Sequence, residues 1–339
     1  MSFAVNFFFK ILVFPGLLFA VAIGLLLAGI DRKILARMQR RIGPPIAQPF
    51  YDFMKLMGKE TIVPQAANKA VYLGAPVAGF VSLAVILLLM PIGGYTAFSL
   101  TSAFVGQADL IVILYLLTIP AVMLIIGGSA SGSPFAGIGI SREMVTMISY
   151  ELPLVIVFLA VAKLVSDSYS GGLTFSLAVI QEWQEYFHPI IAHWSMIPAA
   201  IAMLLIIPAE VGTQPFDVAE AETEICEGPL VEYSGAPLAM FKLNTAVKML
   251  VMSSLFVDLF LGGITDGIHF DVVIFGYYAL DILVKVLIHI ALCAVITIVC
   301  MTTVHAAVAR LKIEHLFKFY WTFVTGLATI SLILVWIGL

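Results

Sequence analysis

The sequence predicts an all-α integral membrane protein with about eight transmembrane helices and short amphipathic helices on its cytoplasmic face. Of its 339 residues, 62% are hydrophobic and only 11% are charged, and the mean hydropathy is +1.09. The apolar residues are gathered into blocks of about 20, the length at which a helix crosses the hydrocarbon core of a bilayer. Because the polar segments between the blocks are too short to fold separately, we expect residues 1–339 to form a single membrane domain.

Eight apolar blocks carry the predicted spans, and each is close to the length that a bilayer requires. They lie at residues 8–30, 70–91, 109–127, 143–164, 190–211, 241–262, 277–302 and 316–338. Prolines inside the blocks, such as Pro120 and Pro153, predict kinks, because neighbouring helices can satisfy the freed backbone groups. The three cysteines show no metal-ligand spacing, so we expect no metal in this chain.

Lysine and arginine are concentrated in one segment, and this sets the expected orientation. Residues 31–69 carry eight of them, whereas residues 92–108, 165–189 and 263–276 carry none. Cytoplasmic loops retain such cations near helix ends. We therefore expect residues 31–69 to form a basic cytoplasmic loop and residues 208–240 an acidic cytoplasmic loop. The protein would be a multi-pass protein of the inner (plasma) membrane with both termini outside the cytoplasm.

The segment 208–240 contains seven of the 21 acidic residues and no lysine or arginine. Thr213 as an N-cap and Gly228-Pro229 as a terminator predict a short helix over about 214–227. On such a helix Asp217, Glu220, Glu224 and Glu227 would share one face and repel each other, so that one or more would hold a proton near neutral pH. Coupled acids of this kind suit a proton relay. The alternative interpretation is a solvated acidic surface.

Glu210 of this segment and two further acids, Glu143 and Glu151, lie in or at the ends of apolar blocks, where ionisable groups are costly and indicate function. We therefore assign a candidate proton path to Glu143, Glu151, Glu210, Asp217, Glu220, Glu222, Glu224, Glu227 and Glu232. Asp281 and Lys285 are four residues apart in the seventh block, and they either extend this path or neutralise each other. Lys248 and Asp258 allow the same two interpretations. His289 is expected to be a hydrogen-bonded core residue.

The second informative segment is MQRRIGPPIAQPFYDFMKLMGKE, residues 38–60. Its pattern predicts an amphipathic helix on the membrane surface with Phe50, Phe53, Met54 and Met57 on one side. Binding of anionic lipid by the arginines would explain the basic cluster. It would not explain the Gly-Pro-Pro turn or the polar residues that follow it.

Together, the two segments resemble the membrane subunit that joins the hydrophilic and membrane arms of respiratory complex I (subunit 1, or H). In motif they are most similar to its counterpart in group 4 membrane-bound NiFe hydrogenases and formate hydrogenlyase. The first motif is Arg41-Ile42-Gly43-Pro44, Gln48-Pro49, Asp52, Lys55-Leu56 and Lys59-Glu60, and the second is Pro215 to Glu222, Glu227 and Glu232-Tyr233-Ser234-Gly235. The shortened GPPIAQP loop and Ala221, at a position where the quinone enzymes carry glycine, favour the hydrogenase branch.

The resemblance implies a non-catalytic coupling subunit that docks a peripheral arm and links its redox reaction to proton or sodium translocation. It implies no cofactor in this chain, 4Fe-4S clusters and a NiFe centre in hydrogenase-like peripheral partners, antiporter-like membrane neighbours, and no nucleic acid. The residues expected at the partner interface are Arg40, Arg41, Gly43, Pro44, Asp52, Lys55, Lys59, Glu60 and Tyr233. The alternatives are a quinone-binding subunit with quinone-reductase-like partners and, disfavoured by the lack of an internal repeat, a stand-alone ion transporter.

The orientation can be tested with reporter fusions. A cytoplasmic reporter inserted between residues 38 and 60 should be active, and a reporter that requires export should be active at either terminus, because the cations between 31 and 69 resist translocation. External activity from the fusion at 38–60 would contradict the predicted orientation.

Overall fold

The computed structural model describes residues 3–93, 109–168, 174–262 and 278–338. Regular structure within these ranges is helical, and eight helical stretches are long and apolar enough to cross a membrane, as the sequence predicts. These spans are Phe8–Met38, Lys69–Leu89, Asp109–Ser131, Pro134–Asp167, Trp194–Val211, Gly235–Phe260, Leu283–Ala307 and Ile313–Ile337. The all-α membrane fold is therefore confirmed.

The structure describes fourteen α-helices. In chain order they are α1 (Phe3–Leu12), α2 (Leu17–Met38), α3 (Gln48–Met57), α4 (Lys69–Leu89), α5 (Asp109–Ser131), α6 (Pro134–Ser168), α7 (Leu177–Tyr186), α8 (Ile197–Val211), α9 (Glu222–Ile225), α10 (Gly235–Phe260), α11 (Tyr278–Thr297), α12 (Thr303–Ala307), α13 (Ile313–Lys318) and α14 (Thr325–Ile337). The π-helical segments Ile298–Thr302 and Phe319–Val324 join α11 to α12 and α13 to α14.

Two helix boundaries differ from the prediction. Helix α2 continues to Met38, so the basic connection begins after this residue and not at residue 31. The buried carboxylate of Asp31 accepts a hydrogen bond of 2.6 Å from Thr302, which lets a charged residue lie inside the bundle. Helix α6 begins at Pro134, earlier than the apolar block at 143, and its first turns pack against the 3-10 turn Gly228–Leu230.

Helix α10 is the centre of the bundle. Its most apolar window is 94% buried inside the protein, the largest share among the eight spans of the described chain. Helices α2, α3, α4, α7, α8 and α11 pack around it. The same helix carries polar residues along its length, including Asn244, Lys248 and Asp258. A span with such residues cannot face lipid without a large cost, so the more apolar helices enclose it.

Small residues allow α2 to approach α10 closely. A methyl group built on Gly24 would lie 3.0 Å from the backbone oxygen of Ala246, so a larger side chain has no room there. Close contact between helix backbones at small residues is a common way of packing membrane helices. Gly24 and Ala246 therefore set the separation of these two helices.

The basic and acidic segments meet at one end of the bundle. The backbone N–H of Ile62 donates a 3.0 Å hydrogen bond to Ser234, and the Tyr72 hydroxyl donates a 2.6 Å hydrogen bond to the carbonyl of Glu232. Gly235 has a positive φ of 62°, and a methyl group there would lie 2.8 Å from the carbonyl oxygen of Glu60. Because only glycine fits this backbone, the start of α10 can lie directly against the end of the basic segment.

Replacing Gly24 should weaken this packing. We expect Gly24→Leu to destabilise the protein by about 1–3 kcal/mol through steric overlap with α10. The matched control is Gly74→Leu, also inside a membrane helix, because Gly74 is exposed and a methyl group there meets no atom within 4 Å. Thermal unfolding of the purified protein measures both. Equal effects of the two substitutions would contradict the close contact.

Candidate functional site

A buried ion pair lies near the middle of the central helix. The Nζ of Lys248, on α10, is 2.7 Å from Oε1 of Glu210, on α8. Lys248 is only 6% exposed and Glu210 only 4%. Both ions are removed from water, at a cost of several kcal/mol each that their mutual attraction offsets. This contact shows that the candidate acid Glu210 has a cationic partner from another helix.

Helix α6 brings two more acids to this pair. Glu143 and Glu151 both lie close enough to interact electrostatically with Lys248 and Glu210. Tyr150, which is buried, lies near all three carboxylates. Residues 143, 147 and 151 recur on one face of a helix, which explains why α6 can present both acids to α10. The structure thus brings together the three intramembrane acids that the sequence singles out.

A cavity of about 70 Å³ connects the ion pair to the acidic segment. Its polar lining comes from α6, α8, α10 and the acidic segment: Glu143, Thr146, Glu210, Asp217, Glu220, Asn244, Thr245 and Lys248. A cavity of this size has room for several water molecules. Within the described residues the Oδ1 of Asn244 is buried and has no hydrogen-bond partner, so it is a ready acceptor for such a water.

The predicted helix over 214–227 is wrong. The only α-helical turn in this stretch is α9, Glu222–Ile225, and the chain before it runs through turns closed by hydrogen bonds from Phe216 to Thr213 and from Val218 to Phe216. The apolar side chains of Phe216, Val218, Ala219 and Ala221 are all buried. Burying them draws the backbone into the bundle and overrides the local helical pattern, so the acids do not form a stripe on one face.

Arginines from distant parts of the chain pair with two of these acids. Arg310, which follows α12, donates two hydrogen bonds to Asp217, at 2.8 and 2.9 Å. Arg142, on α6, forms an ion pair with Glu224. The segment is therefore held by cations that its own sequence lacks.

Glu220 lies between these pairs and lines the cavity. Burial raises the pKa of its carboxyl to about 8, and the nearby carboxylates of Glu143, Asp217 and Glu227 add to this rise. Lys242 opposes it. A carboxyl with a pKa near neutral pH can both accept and release a proton, so Glu220 is suited to exchange protons at the mouth of the cavity.

The remaining acids of the candidate path do not line the cavity among the described side chains. Glu227 is partly buried, with a positive φ of 68°, and Glu232 is exposed. Glu222 begins α9, and its side chain lies outside the described atoms, as does that of Asp281. Lys285 lies on α11, a helix that contributes no residue to the cavity lining within the described chain. The structure thus groups Glu143, Glu151, Glu210, Asp217 and Glu220 around the ion pair and the cavity, and Glu227 lies close enough to Glu220 to raise its pKa.

The residues expected at the partner interface divide into exposed and internal ones. Exposed residues are Arg40, Arg41, Gly43, Lys55, Lys59 and Glu60, and Pro44 is partly exposed. Tyr233 is buried and stacks on Tyr72 with 4.1 Å between ring centroids, so its assignment to a partner interface is wrong. Asp52 forms a 2.9 Å ion pair with Arg32. A hydrogen bond from Gln48, together with Arg32, holds the pKa of Asp52 below its usual range.

Helix α3 confirms the predicted amphipathic helix, but its packed side differs. Phe50 and Phe53 pack against the core, whereas Met54 and Met57 are exposed. A second cavity of roughly 240 Å³ lies between α2, α3 and α10. Its lining combines apolar side chains with cations: Leu25, Ala28, Arg32, Pro49, Asp52, Phe53, Lys55, Leu56, Lys59, Ala239, Lys242, Leu243 and Ala246.

Sequence reasoning left Lys248 open between a structural pair and the proton path, and it left Arg142 and Arg310 out of the site. Lys248 carried a signal, because a lysine inside an apolar block requires a partner. The two arginines carried no such signal in the sequence. Arg142 is 82 positions from its partner Glu224, and Arg310 is 93 positions from its partner Asp217. Among the described residues no cluster of His, Cys, Asp and Glu could hold a metal ion.

Comparison with known proteins identifies the relatives of this chain. The model of the NADH dehydrogenase family matches residues 9–336. Hydrogenase-4 component C of Escherichia coli (strain K12) is 36% identical over 236 residues, which are 70% of this chain and 70% of that protein. The H subunit of the NADH-quinone oxidoreductase of Rubrobacter xylanophilus is 34% identical over 270 residues, 77% of each chain.

A solved structure has the same fold over almost the whole length. A chain in the structure of the membrane-bound sulfane sulfur reductase, an archaeal respiratory membrane complex, superposes with a TM-score of 0.82. The two chains are 28% identical, and the match covers 98% of this chain and 99% of the other.

The pKa of Glu220 predicts a pH dependence. Its folded pKa of about 8 exceeds the ordinary value of 4.5, so the folded protein binds this proton more tightly than the unfolded chain. The resulting stabilisation is complete below pH 4.5 and is lost as the pH rises through about 8. Glu220→Gln should remove this part of the pH dependence, because the amide does not titrate.

Infrared spectroscopy of the protonated carboxyl group tests this directly. A carbonyl band should disappear near pH 8 in the wild-type protein and be absent from Glu220→Gln. Glu232→Gln is the matched control, because Glu232 is exposed on the same segment. A band that persists unchanged in Glu220→Gln would contradict the assignment.

Proposed function

The chain belongs to the NADH dehydrogenase family of complex I membrane subunits 1 and H, and we propose that it couples a redox reaction in a peripheral arm to ion translocation. It is a membrane subunit of a complex-I-like respiratory enzyme. Its relatives are parts of multisubunit respiratory complexes, which implies peripheral and membrane partner subunits. The reaction itself takes place in the partners, and this chain moves the ion.

The observation that carries this proposal is the acid-lined cavity that ends on the buried ion pair of Lys248 and Glu210. Passive anchoring needs no charged groups inside the bundle, and each one is costly there. A proton path needs titratable groups at successive depths with water or hydroxyl groups between them. Such a succession begins with Glu220 at the mouth of the cavity. It continues to Glu143 and then to the ion pair of Glu210 and Lys248.

Glu151 continues the path beyond the ion pair along α6. It interacts electrostatically with both Glu210 and Lys248. A proton that reaches Glu210 can therefore be passed on two sides, toward Glu143 and toward Glu151. Because these groups titrate together, a proton that arrives at one of them changes the affinity of the others. This property suits a path that hands charge to an antiporter-like neighbour.

Coupling to the redox reaction would act through the acidic segment. Arg310 and Arg142 fix the segment through Asp217 and Glu224, and Glu220 lies between these two contacts. A change of charge or geometry in the peripheral arm beside this segment would alter these ion pairs. It would shift the proton affinity of Glu220, which faces the cavity.

The docking surface for the peripheral arm is the exposed part of the basic segment. Ile42 is 84% exposed between Arg41 and Gly43, and Arg40 precedes them. An exposed apolar side chain with neighbouring cations is typical of a protein interface. We place the cluster-bearing partner subunit here, with its 4Fe-4S clusters close to the acidic segment, which packs against the end of the basic segment at Glu60 and Ile62.

Within the family we favour a membrane-bound NiFe hydrogenase. The similarity to Hydrogenase-4 component C supports this branch, as do the shortened GPPIAQP loop and Ala221. The alternative is a quinone-binding subunit, which the similarity to the NADH-quinone oxidoreductase relatives and the second cavity between α2, α3 and α10 support. Hydrogen evolution by the native complex distinguishes the two, since quinone-dependent oxidation without hydrogen evolution would favour the alternative.

Neutral replacements inside the cavity should uncouple the complex. We expect Glu220→Gln and Glu210→Gln to lower ion uptake per redox turnover by about 100-fold, the effect of removing a positioned proton-transfer group. The amide keeps the shape and most hydrogen bonds of the carboxyl but removes its titratable proton. Ion uptake and redox rate are measured together in sealed vesicles that contain the purified complex.

Glu232→Gln is the matched control. Glu232 lies on the same segment but is exposed and does not line the cavity, so its replacement should change uptake per turnover by less than about twofold, the usual range for a surface substitution. Wild-type uptake in both Glu220→Gln and Glu210→Gln would refute the relay and leave a passive membrane anchor.

A further inference from the structure

A second buried polar array lies on α10 far from the acid-lined cavity. Asp258 is ten residues beyond Lys248, which places it about 15 Å further along the helix, toward the end opposite the acidic segment. Its members are Ser254 and Asp258 on α10 and His289 on α11, each only 1% exposed. Residues 249–252 between Lys248 and the array are apolar and buried. The array is therefore separate from the cavity described above.

The three side chains of the array lie close enough together to exchange protons. The Oγ of Ser254 is 2.6 Å from Nε2 of His289. The other ring nitrogen, Nδ1, is 3.8 Å from Oδ1 of Asp258, about 1 Å beyond hydrogen-bond distance. Within the described residues this Nδ1 is buried without a hydrogen-bond partner. A buried polar atom without a hydrogen-bond partner requires an explanation. The hydrogen bond between Ser254 and Nε2 does not supply one, because it leaves Nδ1 unsatisfied.

Helix α7 links the array to the surface. The side-chain amide of Gln184 donates a 2.9 Å hydrogen bond to the carbonyl of Asp258, and this contact fixes α7 against the end of α10. Gln181, one turn earlier, donates a longer hydrogen bond of 3.4 Å to Oδ1 of Asp258. Gln181 is only partly buried. It therefore connects a fully buried carboxyl to the face of the protein opposite the acidic segment.

The geometry points to a second proton-exchange site formed by Asp258, His289 and Ser254, which opens past Gln181 to the membrane face opposite the acidic segment. A proton bound to Asp258 moves to Nδ1 of His289. The O–H bond breaks, the N–H bond forms, and a carboxylate is left beside an imidazolium whose Nε2–H donates to Ser254. Because the pair has the same net charge before and after this transfer, the transfer adds no net charge to the apolar interior.

The titratable and polar groups around the array come from three helices. Cys293, one turn beyond His289 on α11, brings its buried thiol near Asp258 and Ser254. Lys285 lies one turn before His289 on the same helix. On α10 the hydroxyl of Ser253 bonds to the backbone of its own helix, and on α7 Glu182 and Glu185 are exposed.

The inference rests on the proposed ion translocation, and the native complex in sealed vesicles tests it. Proton translocation per redox turnover is measured while the pH on the face opposite the acidic segment is varied from acidic to alkaline values. We expect Asp258→Asn and His289→Gln to lower proton translocation by about tenfold or more and to remove its response to this pH. The redox rate should change much less.

Ser253→Ala is the matched control, since its buried hydroxyl, on the same turn of α10, bonds to the backbone of its own helix and to the Cys293 thiol but to no member of the array, and the variant should behave like the wild type. If Asp258→Asn and His289→Gln prevent assembly of the complex, Gln181→Leu tests the inference instead, because Gln181 lies at the partly exposed edge of the array. It should slow translocation and weaken the response to pH. Wild-type translocation with a wild-type pH response in Asp258→Asn and His289→Gln, or in Gln181→Leu, overturns the inference.

Glu210→Gln in the same vesicles separates this inference from the proposed function. Impaired translocation in Glu210→Gln together with normal translocation in the array variants would refute only the second site. Normal translocation in Glu210→Gln as well would refute the proposed function.

Discussion

The ion pair between Lys248 and Glu210 is the contact that constrains the rest of the bundle. Each ion costs several kcal/mol to remove from water, and a lone charge in the same place would cost more. The two helices that carry the pair must therefore meet side by side and be shielded from lipid. This requirement explains why α10 and α8 are the two most buried spans in the described chain, and why more apolar helices surround them.

The central position of α10 follows from its composition and has a functional consequence. A helix that faces lipid can carry few polar residues, whereas an enclosed helix can carry them at several depths. Asn244, Lys248, Ser254 and Asp258 lie successively along α10 from the acidic segment toward the opposite end. One enclosed helix thus provides groups near both faces of the membrane domain, with an apolar turn between them.

The spans could be predicted from the sequence because the length of an apolar block is a local property. The intramembrane acids Glu143, Glu151 and Glu210 were recognisable for the same reason, since each lies in or beside such a block. The acidic segment could not be predicted in this way. Its helical pattern was overridden by burial of Phe216 and its neighbours, and its cationic partners Arg142 and Arg310 are 82 and 93 positions away from Glu224 and Asp217. Contacts at that separation leave no trace in local periodicity.

The ion pairs with these distant arginines divide the acids of the acidic segment into paired and unpaired groups. Asp217 and Glu224 are each held by an arginine, whereas Glu220 forms no ion pair among the described residues and faces the cavity. A carboxylate paired with an arginine is held in a fixed position. A carboxyl without such a partner, surrounded by other acids, binds a proton near neutral pH. The paired acids therefore fix the segment in place, and this leaves Glu220 free to exchange protons with the interior.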